Sequence, residues 1–205
     1  MVTRGQFLER ATVIPTPEGV LEGLSHRGTR APPLLIIPPP PGRGGMDHPV
    51  GAELAWAATR AGHPTLRFNF HGVGASPGRA GMPASQQADV EAALRVLLEN
   101  EGTVAVAVAA LGGSAPLALQ WARMHPGVAG LALVSPVGVE VEELARFGLP
   151  LLVVVAEAEP LPRAALAAAV AEGQGTLVVV PAADARFHRN LPDVGRAVAS
   201  WLDGL

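Results

Sequence analysis

Six short apolar runs limit the fold of this chain more than any other feature. They are Leu34–Ile37, Thr65–Phe70, Thr103–Ala109, Val128–Val134, Leu151–Val155 and Thr176–Val180. They are apolar nearly throughout instead of alternating with polar residues, which predicts strands buried on both faces. A mostly parallel sheet covered by helices on each side has that property. The intervening segments have helical period. Val90, Ala93, Leu94, Leu97 and Leu98 repeat at i, i+3, i+4, i+7 and i+8, with Glu91, Arg95 and Glu99 spaced for ion pairs on the opposite face. Val194, Ala197, Val198, Trp201 and Leu202 repeat the pattern near the end. Alanine-rich segments Val50–Ala61, Ser114–Met124 and Arg163–Ala171 fill the remaining helical slots. Before the first run, Ala11–Ile14 and Val20–Ser25 flank Pro15, Pro17 and Gly19 and predict an antiparallel hairpin. The expected fold is one α/β domain over residues 1–205 with roughly seven or eight strands.

Composition excludes several classes. Apolar residues make up 49% of the 205 and charged residues 16%, so the chain has enough apolar surface to fold. The net charge of −3 offers no basic stripe, so no nucleic-acid partner is expected. All fifteen basic residues are arginine, and there is no cysteine, which removes disulfides, thiolate metal sites and a Cys nucleophile. The longest apolar run, Val104 to Leu111, is too short to span a bilayer. Arg4, Glu9 and Arg10 interrupt any signal-peptide core, so a soluble cytoplasmic protein without membrane contact is expected.

In an open parallel sheet, ligands bind at the carboxyl ends of the strands, so the loops there carry the chemistry. One of them, His71–Pro83, begins within Leu66-Arg67-Phe68-Asn69-Phe70-His71-Gly72-Val73-Gly74-Ala75-Ser76. Another is Ile36-Ile37-Pro38-Pro39-Pro40-Pro41-Gly42-Arg43-Gly44-Gly45-Met46-Asp47. The first resembles the R-F-N-F-R-G-V-G-x-S strand and turn of the α/β-hydrolase superfamily, and the second resembles the H-P-H-P-x-x-G-G segment of its small, lidless, dienelactone-hydrolase-like members. Element order agrees from Leu34 onward. The resemblance implies a three-layer α/β-hydrolase fold without a lid domain.

The same resemblance implies three catalytic positions, and two are emptied. The family's nucleophile sits on a G-x-S-x-G turn. Aligned onto Leu111-Gly112-Gly113-Ser114-Ala115, that turn places Ala110 at the serine and Val108 at the first glycine. The family's G-x-D-H-F-F aligns with Ala182-Ala183-Asp184-Ala185-Arg186-Phe187, so the general base falls on Ala185. Glu159, with Glu157 as the lesser candidate, takes the orienting carboxylate. The oxyanion loop is also altered. Pro40 and Pro41 have no N–H, and Gly42 is the first residue after them able to donate. Arg43, His71, Leu111 and His188 complete the expected pocket.

Other polar residues have plainer readings. Ser114 is expected to pack under the central helix and is the fallback nucleophile. Ser76 is expected to bond backbone groups, and Ser135 to form a turn before Pro136. No two of the six histidines have metal-site spacing, so no metal and no cofactor is expected. His63 and His125, each before a proline, are expected in exposed turns. Arg43, Arg79 and Arg186 are assigned to the pocket rim, where they suit an anion. The expected function is that of a catalytically inactive α/β-hydrolase-fold protein. It would bind a small apolar or anionic ligand or a protein partner, including a second copy or an active relative. The alternative is a hydrolase of small esters or amides built on Ser114 or His188 with Asp184 or Glu159.

Overall fold

A computed structural model of the chain describes residues 8–81 and 83–205. Strands β1 (Arg10–Thr16) and β2 (Gly19–His26) form an antiparallel hairpin, in register from Arg10 opposite Ser25 to Thr16 opposite Gly19. β2 pairs antiparallel with β4 (Thr65–Phe68), and every later pairing is parallel. The other strands are β3 (Leu34–Ile37), β5 (Val106–Leu111), β6 (Val128–Val134), β7 (Leu151–Ala156) and β8 (Thr176–Val180). The eight-stranded sheet runs β1-β2-β4-β3-β5-β6-β7-β8.

β3 to β7 are buried on both faces as their unbroken apolar runs predict, but β4 stops at Phe68 instead of Phe70, and the edge strand β8 is partly exposed. On one face, α1 (Pro49–Ala61) and α6 (Leu191–Leu202) pack Val50, Leu54, Ala58, Val194 and Val198 against the sheet. On the other lie α2 (Pro83–Glu101), α3 (Ala115–Met124), α4 (Val141–Ala145) and α5 (Arg163–Glu172), whose buried residues include Val90, Leu97, Leu119, Trp121 and Val170. The five-residue α4 has no counterpart in the sequence reading, since a single turn is too short to show a period. Glu101 is followed by a turn, and β5 starts at Val106 instead of Thr103 and ends at Leu111 instead of Ala109. That shift of the central strand displaces the turn after it.

β5 is the pivot of the sheet. Every one of its residues is buried. Val106, Val108 and Ala110 face the α2–α3 side, while Ala107, Ala109 and Leu111 face α1 and α6. The strand stays paired to its end, with Ala110 opposite Leu133 and Leu111 opposite Val134. The chain leaves the sheet at Gly112, whose φ of 55° is open to glycine without the cost a side chain would add. A 3₁₀ turn, Gly112–Ser114, then leads into α3.

Two buried polar contacts hold the ends of these strands. Ser114 Oγ donates to the Pro38 carbonyl at 2.6 Å, tying the start of α3 to the end of β3. His26, buried in β2, shares a 3.0 Å hydrogen bond between its Nδ1 and Thr65 Oγ1 on β4. Ser114→Ala leaves a buried carbonyl without its partner and should lower stability by about 1–3 kcal/mol, read as an earlier urea midpoint. Burial holds the His26 imidazole below its ordinary 6.5, against the opposing Glu9 carboxylate and with the help of the Arg67 charge. The unfolded chain therefore takes up this proton at a higher pH than the folded one. The stability tied to neutral His26 is complete above 6.5 and is lost as pH falls from there toward the lower folded value. His26→Gln should flatten the fall in urea midpoint between about pH 7 and 5.

Candidate functional site

A cleft of about 750 Å³ opens at the carboxyl end of β5, β6 and β7. Leu111, Val50, Val134, Val137 and Phe187 give it apolar surface, and Pro39, Pro40 and Pro41 wall one side. Its polar groups are Arg43, His48, Ser135, Glu159 and Arg186, together with the backbone of Gly112 and Gly113. An apolar cleft with a few converging polar groups is the usual form of a small-molecule site.

Gly112 and not Ala110 occupies the sharp strand-to-helix turn. Ala110 is fully buried inside β5 and faces the α2–α3 core, away from the cleft. The correction follows from register: pairing with β3 and β6 carries β5 two residues further than the alanine-rich sequence suggests. Gly112 lines the cleft, and a Cβ placed on it would meet no atom within 4 Å. The turn has room for a side chain and carries none. Ala185 lines the same cleft from the loop after β8.

Glu159 is the carboxylate of the site. Its Oε2 accepts the Ala156 N–H at 2.8 Å and the Ser135 hydroxyl at 3.0 Å, so the end of β7 fixes its orientation. Ser135 holds a φ of 45°, a conformation non-glycine residues adopt at a cost, and such strain gathers at functional sites. No feature of its sequence context marks that backbone angle. Glu157 points elsewhere and accepts the Ala182 N–H at 2.7 Å.

The remaining expected residues divide. Pro40, Pro41, Arg43 and Leu111 line the cleft as expected. The Arg43 N–H donates to the Pro40 carbonyl at 2.9 Å, so the loop turns back on itself there. Gly42 faces a different hollow, beside Gly45, Asn69 and Gly74. His71 is buried away from the cleft, with its Nδ1 2.6 Å from Asp89 Oδ1 and its backbone N–H on Asp89 Oδ2. His188 is exposed, contacts Asp184 at 3.1 Å, and lines a separate surface hollow. Arg79 does not line the cleft. Ser114 is 1% exposed, packs at the start of α3 as expected, and donates its hydroxyl to the Pro38 carbonyl instead of facing the cleft.

Two histidine expectations are also corrected, and one serine reading holds. His63 is fully buried, with Nδ1 2.8 Å from the Pro32 carbonyl and Nε2 3.2 Å from Asp203. His125 is half-buried, stacked on Trp121 and 2.6 Å from Glu91. Ser76 accepts the Glu22 N–H and donates to the Asn69 carbonyl, both at 2.9 Å.

His48, at the entry to α1, is the imidazole that lines the cleft. Burial lowers its pKa below the ordinary value, against the charge of Asp47, and its Nδ1 is buried without a hydrogen-bond partner. Among the described residues, no group of three His, Asp or Glu is arranged to hold a metal ion, and no helix is long and apolar enough to cross a membrane.

No protein-family model and no curated protein sequence matches the chain. Solved structures do. An α-β serine hydrolase homologue from Coxiella burnetii is 28% identical with a TM-score of 0.77, covering 93% of this chain and 96% of that one. XC6422 from Xanthomonas campestris, a serine hydrolase without a lid, is 23% identical with a TM-score of 0.78, covering 97% and 95%. The dienelactone hydrolase of Anabaena variabilis is 17% identical with a TM-score of 0.80, covering 97% and 98%. The sheet order, the helices on both faces and these likenesses together identify the fold as the α/β-hydrolase fold in its lidless form.

Proposed function

We propose that this chain keeps the cleft of a serine-hydrolase scaffold without its reaction, and serves as a binding module for a small ligand or a partner protein. The observation that carries this reading is Gly112. The turn that presents a nucleophile in such scaffolds faces the cleft here with no side chain at all. In this reading Ala185 takes the place of the general base, so no imidazole stands at the position where Glu159 would orient one. The similar structures described as serine hydrolases suggest the scaffold's ordinary chemistry, from which this reading has the chain depart at Gly112 and Ala185.

A second reading, hydrolysis of small esters or amides by a rebuilt set of groups, is favoured by one contact. Ser135 Oγ lies 3.0 Å from Glu159 Oε2, and both line the cleft. In that reading Glu159 accepts the hydroxyl proton as Ser135 attacks the carbonyl.

Hydrolysis of p-nitrophenyl acetate separates the two. The wild-type protein should release nitrophenol at the buffer rate, and Ser135→Ala should change nothing. The double variant Gly112→Ser, Ala185→His should gain turnover above background, because Glu159 is already fixed to receive the new imidazole. The gain should be modest. A single oxyanion donor is worth about 10²–10³ in rate, and the proline loop supplies fewer donors than an ordinary one. Serine at a positive φ should also lower stability by about 1–2 kcal/mol, which a melting curve checks. Saturable turnover by wild type that Ser135→Ala removes would overturn the binding reading in favour of the rebuilt site.

A further inference from the structure

We propose that β8 is a dimer interface. Two copies of this chain pair their β8 strands antiparallel across a two-fold axis, which joins two eight-stranded sheets into one and sets α5 of each copy against α5 of the other. The dimer does not depend on how the cleft is read.

β8 ends the sheet on one side, with β7 as its neighbour in the sheet. Its sequence, Thr-Leu-Val-Val-Val, has no charge and no proline. The strand at the opposite edge, β1, carries Arg10 and Pro15, two devices that discourage the addition of a further strand. The Val180 carbonyl accepts the Glu157 N–H at 3.0 Å, so Val180, Val178 and Thr176 turn their backbone groups toward β7. Leu177 and Val179 therefore turn theirs outward, and among the described residues no hydrogen bond covers them. The side chain of Val179 is 37% exposed beside them. Such an edge is a template for another strand.

The helix beside the edge selects a second copy as that strand's source. Antiparallel pairing centred on Val178 sets Leu177 opposite Val179 of the other copy, and each such pair exchanges both of its backbone hydrogen bonds. As the crossover from β7 to β8, α5 packs on β8. A helix seated over that crossover lies about two strand spacings, roughly 10 Å, from its mate across the axis. That is contact distance for helices with small side chains between them, and the exposed residues of α5 include Ala164, Ala165, Ala167, Ala168 and Ala171. Its charged residues are the first and the last, Arg163 and Glu172, and neither forms an ion pair among the described residues. A cation at the helix N-terminus and an anion at the C-terminus are each at the wrong pole of their own helix. The two-fold axis runs the mate antiparallel, so Arg163 meets Glu172 and the negative pole of the other copy, at both ends. A foreign strand could satisfy the amides of β8 but would leave those charges unmatched.

Sedimentation velocity of the wild-type protein over a concentration series tests the interface. The expected result is a reversible monomer–dimer equilibrium with no larger species, because pairing uses up the β8 edge of both copies. Val179→Lys puts a charge on that edge and should weaken dimerisation about tenfold or more. Arg163→Glu turns two symmetry-related attractions into repulsions and should also weaken it about tenfold. Adding Glu172→Arg to Arg163→Glu should restore most of the loss, which a merely structural role for either residue would not do. The charge reversals lie on the helix surface and stand as the independent test if Val179→Lys fails to fold. Monomer at every concentration leaves the edge to a foreign strand and overturns the dimer. A dimer indifferent to Val179→Lys and to the charge reversals forms on another face and overturns it equally, as does open-ended growth with concentration.

Discussion

The structure depends on a central strand that has no solvent face. β5 is buried along all six residues, between β3 and β6 in the sheet and between two helical layers above and below. Its side chains must therefore be apolar, and small enough for both layers to close over them. Five of the six residues of Val106-Ala107-Val108-Ala109-Ala110-Leu111 are Val or Ala, and all six alternate between the two faces. The first place the chain is free to change direction is the residue after pairing stops. That residue is Gly112, and everything at the site follows from its position: the 3₁₀ turn into α3 starts there, the cleft opens beside it, and the Ser114 hydroxyl locks the turn to the neighbouring strand end.

Much of this was legible in the residues. β3 and β6 run over the spans that their apolar runs predict, because burial on both faces leaves an unbroken apolar signal bounded by Pro, Gly or polar residues, while β8 matches its predicted span although it is a partly exposed edge strand. The edge of β5 was harder. Val104 to Leu111 is a continuous apolar run, and the preceding Thr103 and the following glycines fit more than one frame. Alanine carries no polar mark to show which face it occupies. The frame is set by hydrogen bonding to Ile37 and Val134 on other strands, a non-local constraint that no local pattern contains. The buried state of His63 has the same origin, since its two partners, Pro32 and Asp203, lie far from it in sequence.

The site divides along the same line. Glu159 was legible because a carboxylate just after a buried strand is conspicuous, and a proline-rich loop after β3 is visible in any reading. Ser135 was not, because what distinguishes it is a backbone angle and a partner, neither of which its identity reveals. His71 misled for the opposite reason. It stands in a loop at the ligand end of the sheet, yet Asp89 of α2 draws it under the surface.

Gly112 and Ala185, the two small residues on which the proposed reading rests, also act on stability. A serine at the turn would hold a positive φ at a cost of about 1–2 kcal/mol, and glycine releases that strain. In the proposed binding reading, such release would accompany the loss of activity, since strained active sites trade stability for function. Strain has not been released everywhere around the cleft. Ser135 keeps its positive φ, and the hydrogen bond to Glu159 is what offsets it. Replacing Gly112 or Ala185 by larger apolar residues would fill the cleft and bury its exposed apolar lining, a favourable change at ~25 cal/mol per Å². Instead the cleft is open, its carboxylate is oriented by two donors, and its apolar lining is uncovered. Those features suit a site shaped for an occupant, and the proposed preference for binding over catalysis rests on the turn at Gly112, which faces the cleft without a side chain.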